Sequence, residues 1–169
     1  MGERVGKISG RTLEKVVITS VTGGNTMSTE AKKNKAGETP QAMTPGAKRA
    51  GPGEYVFDFG KLNQIMGGPE YSPVFGGCVE GERMIVALMR APAGKMGDPH
   101  SHPNEQWIYV LEGAFEIRID GQIHKVGPGG LIYVPANAIH QGGATPEGNG
   151  VFFTCKDTSH GLHGIKHGG

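Results

Sequence analysis

Short apolar segments separated by glycine-rich turns make up most of the chain from about residue 54 onward. Most of these segments alternate apolar with polar positions, or form brief apolar runs bounded by charges, and both patterns are typical of β-strands. Asp120-Gly121 separates two of them and is a strong signal for a tight hairpin. The segments that predict strands are residues 55–59, 83–90, 106–113, 114–120, 122–126, 131–135 and 150–157.

Helical periodicity is weak throughout, and residues 61–66 provide the one candidate for a short helical turn. Many short strands joined by turn signals predict an all-β sandwich or barrel. The run at residues 83–90 is apolar on both faces, so the sequence leaves its orientation open. Either of two sets lines the interior: Met84, Val86 and Leu88, or Ile85, Ala87 and Met89.

Composition divides the chain into three parts. Residues 1–53 are basic and, over residues 22–53, poor in large apolar side chains, which predicts a flexible N-terminal extension. An alternative is that residues 13–21 form an edge strand. Residues 54–159 hold the β-structure, and residues 160–169 are a tail rich in Gly and His. The tail is expected to be flexible or packed on a neighbouring subunit, while a second metal site at His160, His163 and His167 is the alternative.

Length and charge narrow the function classes. A chain of 169 residues suits one domain, and a formal net charge of +1 offers no general support for nucleic-acid binding. The apolar stretch at residues 16–21 is too short to span a membrane. The chain has two cysteines, Cys78 and Cys155, which are too few for disulfide bonds to stabilise a domain of this size. We therefore expect reduced thiols and a cytoplasmic protein.

Two histidines stand two residues apart at the approach to a predicted strand. His100 and His102 point to the same side if the backbone is extended, because side chains alternate along a strand. The same parity selects Gln106 and turns Glu105 away, provided that no bulge follows Pro103.

A third imidazole follows the strand at residues 131–135. Asn137 tolerates a left-handed backbone, so a sharp turn there can bring His140 back toward the other two histidines. Three imidazoles and one side-chain oxygen make a site for a first-row transition metal with coordination positions left open.

The two segments that carry these residues resemble the two motifs of the cupin superfamily. GKMGDPHSHPNEQWIYVLEG, residues 94–113, is similar to the first motif, and GGLIYVPANAIH, residues 129–140, to the second. The chain departs from the pattern at Asn137, where a glycine is usual, and at Ala144, where an asparagine is usual. The resemblance covers roughly residues 80–157 and implies a double-stranded β-helix, or jelly-roll, barrel.

The resemblance also implies a ligand set of His100, His102, Gln106 and His140. Most cupins have Glu where this chain has Gln106. The set with glutamine is similar to that of cupins that ketonise or tautomerise unsaturated uronates. The implied cofactor is one divalent transition metal, with Fe, Mn, Ni and Zn as the candidates.

Four neutral donors leave the full charge of a divalent ion available to a substrate, which favours Lewis-acid chemistry on keto, enol or uronic acids. We therefore expect an enzyme that isomerises, ketonises or eliminates from a small oxygenated acid. One alternative is an Fe(II) dioxygenase acting on small aromatic or diketone substrates. Another is a binding protein without catalysis, and each alternative stays open at this point.

Further roles are assigned to single residues. Tyr133 lies near the third histidine in sequence and is the candidate proton donor, with a packed core tyrosine as the alternative reading. Cys155 is a candidate for the cavity wall. Three arginines are candidates to pair with a substrate carboxylate. The arginines are Arg83, Arg90 and Arg118.

The expected partners of the protein are a small molecule and a second copy of the chain, in a homodimer formed through sheet edges.

Overall fold

A computed structural model of the protein describes residues 41–168. Over that range the protein is built from strands and a single 3₁₀ turn at Phe59–Lys61, and no helix there is long and apolar enough to cross a bilayer. The strands are β1 Lys48–Arg49, β2 Ile65–Gly68, β3 Ser72–Glu80, β4 Met84–Ala91, β5 His100–Ser101, β6 Gln106–Glu112, β7 Phe115–Ile119, β8 Gln122–Val126, β9 Leu131–Val134, β10 His140–Ala144, β11 Gly150–Asp157 and β12 Ile165–Lys166.

The strands form two sheets. One has the order β1-β3-β4-β11-β6-β9, with β2 also paired to β3, and the other has the order β12-β5-β10-β7-β8. Strands distant in sequence are neighbours in both sheets, as in a jelly roll, where the chain passes back and forth between the two layers. The prediction of an all-β jelly-roll barrel is therefore confirmed.

The core lies where alternate side chains of β4, β6 and β11 point inward. Strand β4 adopts the register that buries Ile85, Ala87 and Met89, which settles the choice that the sequence left open. Val110 and Phe152 face the same interior from β6 and β11. Inward and outward positions alternate without interruption along β11, so this strand sets the spacing of the side chains that line the interior.

Two turns form at the residues where the sequence predicted them. Asp120 and Gly121 both have positive φ angles, of 46° and 84°, as the turn between β7 and β8 requires. Asn137 has a φ of 64°, so asparagine takes the left-handed position that leads the chain toward β10.

The segment at residues 55–66 differs from the prediction. Residues 55–58 form no strand, and Tyr55 and Val56 are 88% and 92% exposed. Residues 61–66 form no helical turn beyond Lys61, because Ile65 and Met66 belong to β2. An alternating pattern does not make a strand when no neighbouring strand is available for backbone hydrogen bonds.

Residues 41–53 pack on the barrel, where the sequence predicted part of a flexible extension. The buried carboxylate of Glu80 accepts hydrogen bonds from the backbone N–H groups of Met43 and Thr44, at 2.7 and 2.8 Å. Strand β1 also pairs in parallel with β3. The rest of the predicted extension, including the possible strand at residues 13–21, lies outside the described residues.

The tail packs on its own chain, where the sequence predicted flexibility or a contact with a neighbouring subunit. Leu162 is buried, and β12 pairs with β5. His163 Nε2 lies 3.0 Å from the carbonyl oxygen of Met66, and His167 Nε2 lies 2.8 Å from Ser101 Oγ. Because the histidines of the tail have separate partners and His160 is exposed, they form no metal-binding group within residues 41–168.

The close approach of β3 and β4 predicts a sensitive glycine. A Cβ at Gly76 would overlap with the carbonyl oxygen of Leu88, whereas a Cβ at Gly148 would meet nothing within 4 Å. We expect Gly76→Ala to lower the free energy of unfolding by about 2–3 kcal/mol and Gly148→Ala to change it by less than about 0.5 kcal/mol. Urea denaturation measures both, and equal midpoints for the two variants would contradict the observed packing of β3 against β4.

Candidate functional site

Three imidazole rings and one amide meet at one end of the interior. His100 lies in β5, His102 follows it, and His140 begins β10, whose antiparallel pairing with β5 sets His140 opposite His100. The ring centroid of His140 lies 4.1 Å from that of His100 and 4.8 Å from that of His102, and those of His100 and His102 are 6.3 Å apart. Gln106, the first residue of β6, completes the cluster from the other sheet.

Each of the three rings is oriented by a backbone carbonyl two residues away. Nδ1 lies 2.9 Å from the Asp98 oxygen in His100, 2.7 Å from the Asn104 oxygen in His102, and 2.9 Å from the Ala138 oxygen in His140. A carbonyl oxygen only accepts hydrogen bonds, so Nδ1 must carry the proton in each ring. A neutral ring then has its lone pair on Nε2, which is the arrangement that a metal ligand needs.

Burial keeps these rings neutral. It lowers the pKa of His100 to about 3, with the neighbouring His140 adding to the effect. It also lowers the pKa of His102 to about 4, with further help from the positive charge of Lys156, and it lowers the pKa of His140. All three imidazoles are therefore unprotonated at Nε2 near neutral pH.

Gln106 directs its oxygen at His102. Its Nε2 donates to Thr154 Oγ1 at 2.9 Å, and that hydroxyl donates onward to the Trp107 carbonyl at 2.8 Å, which fixes the amide orientation. Gln106 Oε1 then lies 2.9 Å from His102 Nε2. In a neutral His102 both of these atoms are acceptors, so two lone pairs face each other with no proton between them.

The spacing of these two acceptors is compatible with a shared cation. In octahedral coordination, two adjacent ligand atoms about 2.1 Å from the ion are about 3.0 Å apart, close to the 2.9 Å between His102 Nε2 and Gln106 Oε1. Among residues 41–168, no group of three or more His, Cys, Asp and Glu side chains is poised to hold an ion as it stands. The fourth donor here is an amide, and a cation bound at this point would replace the direct contact between His102 and Gln106 with two ligand bonds.

The cluster opens into a cavity of about 90 Å³ between the sheets. At about 30 Å³ for each water molecule, this space suits a small ligand of a few heavy atoms. Three members of the cluster, His100, Gln106 and His140, line it. The rest of the wall includes an apolar surface formed by Met89, Ile108, Phe115, Ile117, Ile132 and Phe152.

Lys156 is the buried cation of this cavity. It is 4% exposed, and its Nζ donates to the Leu162 carbonyl at 2.8 Å. Burial lowers the pKa of Lys156 to about 7. The sequence pattern did not single out this residue, although strand parity places it on the same face as Phe152 and Thr154.

Tyr71 is a second residue that was not predicted from the sequence. Its ring stacks on His100 with centroids 4.2 Å apart, and its hydroxyl accepts a hydrogen bond of 2.6 Å from Gly164 N–H. Burial raises the pKa of Tyr71, so the phenol keeps its proton at neutral pH. It lies just before β3, a strand that was not predicted either, so no pattern pointed to it.

Several residues with predicted roles lie outside the cavity. Tyr133 is 40% exposed, stacks on Trp107 and donates from its hydroxyl to Glu105 Oε1 at 2.8 Å. Strand parity turns Tyr133 outward beside Trp107, so its hydroxyl does not face the cavity. Cys155 also pairs with Trp107, at an outward position of β11. The three arginines are exposed: Arg83, Arg90 and Arg118.

The fold and the site together define a two-sheet β-barrel protein with a histidine-lined cavity. A family model described as a cupin domain matches residues 87–155, which hold all four side chains of the cluster. The chain therefore contains a cupin domain at residues 87–155.

Similar proteins extend this result. The chain is 24% identical over 110 residues to a quercetin 2,3-dioxygenase of Bacillus subtilis, covering 65% of this chain and 31% of the relative. It is 32% identical over 65 residues to the dimethylsulfoniopropionate lyase DddW of Ruegeria pomeroyi, covering 38% of this chain and 43% of the relative. The chain thus spans less than half the length of both curated relatives.

Solved structures show the same fold. The structure of KdgF from Halomonas sp. matches with a TM-score of 0.53 and 20% identity, covering 62% of this chain and 93% of the other. At this level of identity the likeness defines the fold and leaves the reaction open.

Removing the buried amine tests the electrostatics of the cavity. We expect Lys156→Met to raise the free energy of unfolding at pH 7 by about 1–3 kcal/mol, because a buried amine without an ion-pair partner within residues 41–168 is replaced by an apolar chain of similar length. The pKa of Lys156 falls from its ordinary 10.5 to about 7 in the folded protein. Between these values the unfolded chain binds more protons, so the stability of the wild type rises with pH.

The stability gap between the variant and the wild type should therefore narrow by about 1–2 kcal/mol from pH 7 to pH 8.5. Urea denaturation at the two pH values measures this change. A gap that is constant over this range would show that Lys156 does not have a lowered pKa.

Proposed function

We propose that the protein is a divalent-metal-dependent enzyme that isomerises, ketonises or eliminates from a small oxygenated acid. The metal ligands are His100, His102 and His140 through Nε2, and Gln106 through Oε1. The observation that carries this proposal is the pair of facing acceptors, His102 Nε2 and Gln106 Oε1, 2.9 Å apart in a buried site. Facing lone pairs repel each other unless a cation lies between them.

The neutrality of the four donors supports Lewis-acid chemistry. A divalent ion held there supplies a Lewis acid that stabilises negative charge developing on a substrate oxygen. Gln106 cancels none of that charge, whereas a glutamate at the same position would cancel half of it. Burial adds to the effect, because electrostatic interactions are stronger where water is excluded.

Tyr71 is our candidate for the proton transfer that the sequence suggested for Tyr133. Its Oη accepts from Gly164 N–H, and within residues 41–168 no hydrogen bond uses its own proton. Since the raised pKa keeps that proton in place, the phenol can donate it to a substrate atom in the cavity. The stacking on His100 holds the ring beside the proposed ligands.

The size of the cavity favours a small acid over a large aromatic substrate. Sites for drug-sized ligands have volumes of about 300–1,000 Å³, well above the 90 Å³ found here. The likeness to a lyase at 32% identity is consistent with elimination chemistry.

A second candidate function is Fe(II)-dependent oxygenation. The likeness to a quercetin 2,3-dioxygenase favours it, and a set of neutral nitrogen and oxygen donors also suits Fe(II). A flavonol would have to extend outside the cavity, which is why we place this function second. The homodimer and the cytoplasmic location stay predictions.

Proton exchange in a simple keto acid tests the proposal, because it reports enolisation whichever acid is the natural substrate. Protein loaded with one equivalent of Zn²⁺ or Mn²⁺ is incubated with 2-oxobutanoate in D₂O, and proton NMR follows the loss of the C3 protons. We expect wild-type protein to accelerate exchange, Tyr71→Phe to slow it at least about tenfold, and Gln106→Glu to keep the metal but also slow exchange about tenfold or more.

Matched controls lie on the outer face of the same sheet. Tyr133→Phe and Glu105→Gln should exchange at the wild-type rate, and plasma mass spectrometry should find equal metal in all loaded proteins. Wild-type exchange no faster than that of the chelated protein would refute Lewis-acid catalysis. Oxygen uptake by Fe(II)-loaded protein with quercetin would instead select the dioxygenase.

A further inference from the structure

We propose that Lys156 binds the carboxylate of the substrate, so that the site selects small carboxylates with a second oxygen for the metal. This inference rests on the proposed function and names its substrate class. Lys156 is a binding residue in this scheme, and it takes the place of the three arginines that the sequence suggested for this task.

The position of Lys156 fits this role. It lines the cavity from β11, directly across the strand pairing from Gln106. His100 and His140 line the same cavity. The amine and three of the four proposed metal ligands therefore border the same small space.

Lys156 has no acidic partner in the part of the chain that the structure describes. The ion pairs of residues 41–168 are all exposed or half-exposed and involve other lysines: Lys48 with Glu54, Lys61 with Asp58, and Lys166 with Asp98. The buried Glu80 is engaged by the backbone N–H groups of Met43 and Thr44.

Two of the three N–H donors of Lys156 remain for a ligand. An ammonium has three donors, and the Leu162 carbonyl takes one of them. Lysines are rarely buried without a partner because of the cost of removing the charge from water. A carboxylate bound in the cavity would supply both the missing acceptors and the missing charge.

The two positive centres define the shape of the ligand. A carboxylate at Lys156 and a keto, enol or hydroxyl oxygen at the metal would be joined by a short carbon chain in a cavity of about 90 Å³. The apolar wall formed by residues such as Ile108 and Ile132 suits the hydrocarbon part of such an acid.

Calorimetry with a charged and a neutral probe tests this inference. Pyruvate and pyruvamide have nearly the same size, and only pyruvate has the carboxylate. We expect Zn²⁺-loaded wild-type protein to bind pyruvate at least about tenfold more tightly than pyruvamide. Lys156→Met should lose this preference and keep its zinc, while Lys125→Met, which alters an exposed lysine of β8, should keep both.

The outcomes separate this inference from the proposed function. A Lys156→Met protein that retains the preference, or a wild type that never shows it, would overturn the role of Lys156. If the wild type takes up no zinc, the proposed function fails, and the same titrations on chelated protein decide the role of Lys156. A thermal melt of Lys156→Met confirms that a lost preference is not caused by unfolding.

Discussion

The proposed chemistry of this protein depends on the contact between His102 Nε2 and Gln106 Oε1. Hydrogen bonds on the opposite side of each group hold the two atoms in this contact. The Asn104 carbonyl holds the proton of His102 on Nδ1, and Thr154 holds the amide group of Gln106 in a single orientation. The result is a buried pair of acceptors that is unfavourable when empty and favourable around a cation. Such pre-organisation keeps the cost of arranging the ligands low when an ion binds.

The same region contains a buried amine for which residues 41–168 supply no ion-pair partner. The rings are neutral, the amide is neutral, and the buried amine beside them is that of Lys156. An interior of this kind costs stability, as functional sites commonly do. The compensation comes from elsewhere in the barrel, where β4, β6 and β11 contribute a continuous apolar core. In the proposed function, the charge of the cavity both selects an anion and stabilises the charge that develops on it.

Strand parity predicted the faces of the side chains well where the chain is extended and poorly where tertiary pairing decides. It selected Gln106 over Glu105, and the structure turns these two side chains to opposite faces. The same rule turns Tyr133 outward on β9 and Lys156 inward on β11, but it gives these faces only once the pairing of the strands is known. Tyr71 could not be predicted from the sequence, because its contact with His100 depends on how distant segments pack.

Segments at the edge of the barrel were also difficult to predict from the sequence pattern. Residues 41–53 carry few large apolar side chains, and they are held by the buried Glu80 rather than by a pattern of their own. Strand β3 contains adjacent glycines, which weaken the pattern of a strand, yet Gly76 is needed where β3 passes close to β4. A close approach of two backbones, or buried hydrogen bonds to a single carboxylate, hardly changes the local pattern of hydrophobic residues, so that pattern does not predict them.

Long-range proton–nitrogen NMR of the imidazole rings tests the central claim most directly. In metal-free protein at pH 7, the three rings of His100, His102 and His140 should each be neutral with the proton on Nδ1. One equivalent of Zn²⁺ should then shift the three Nε2 resonances together and leave those of His163 and His167 unchanged. Rings that carry the proton on Nε2, or Nε2 resonances that do not respond to zinc, would contradict a shared cation at this site.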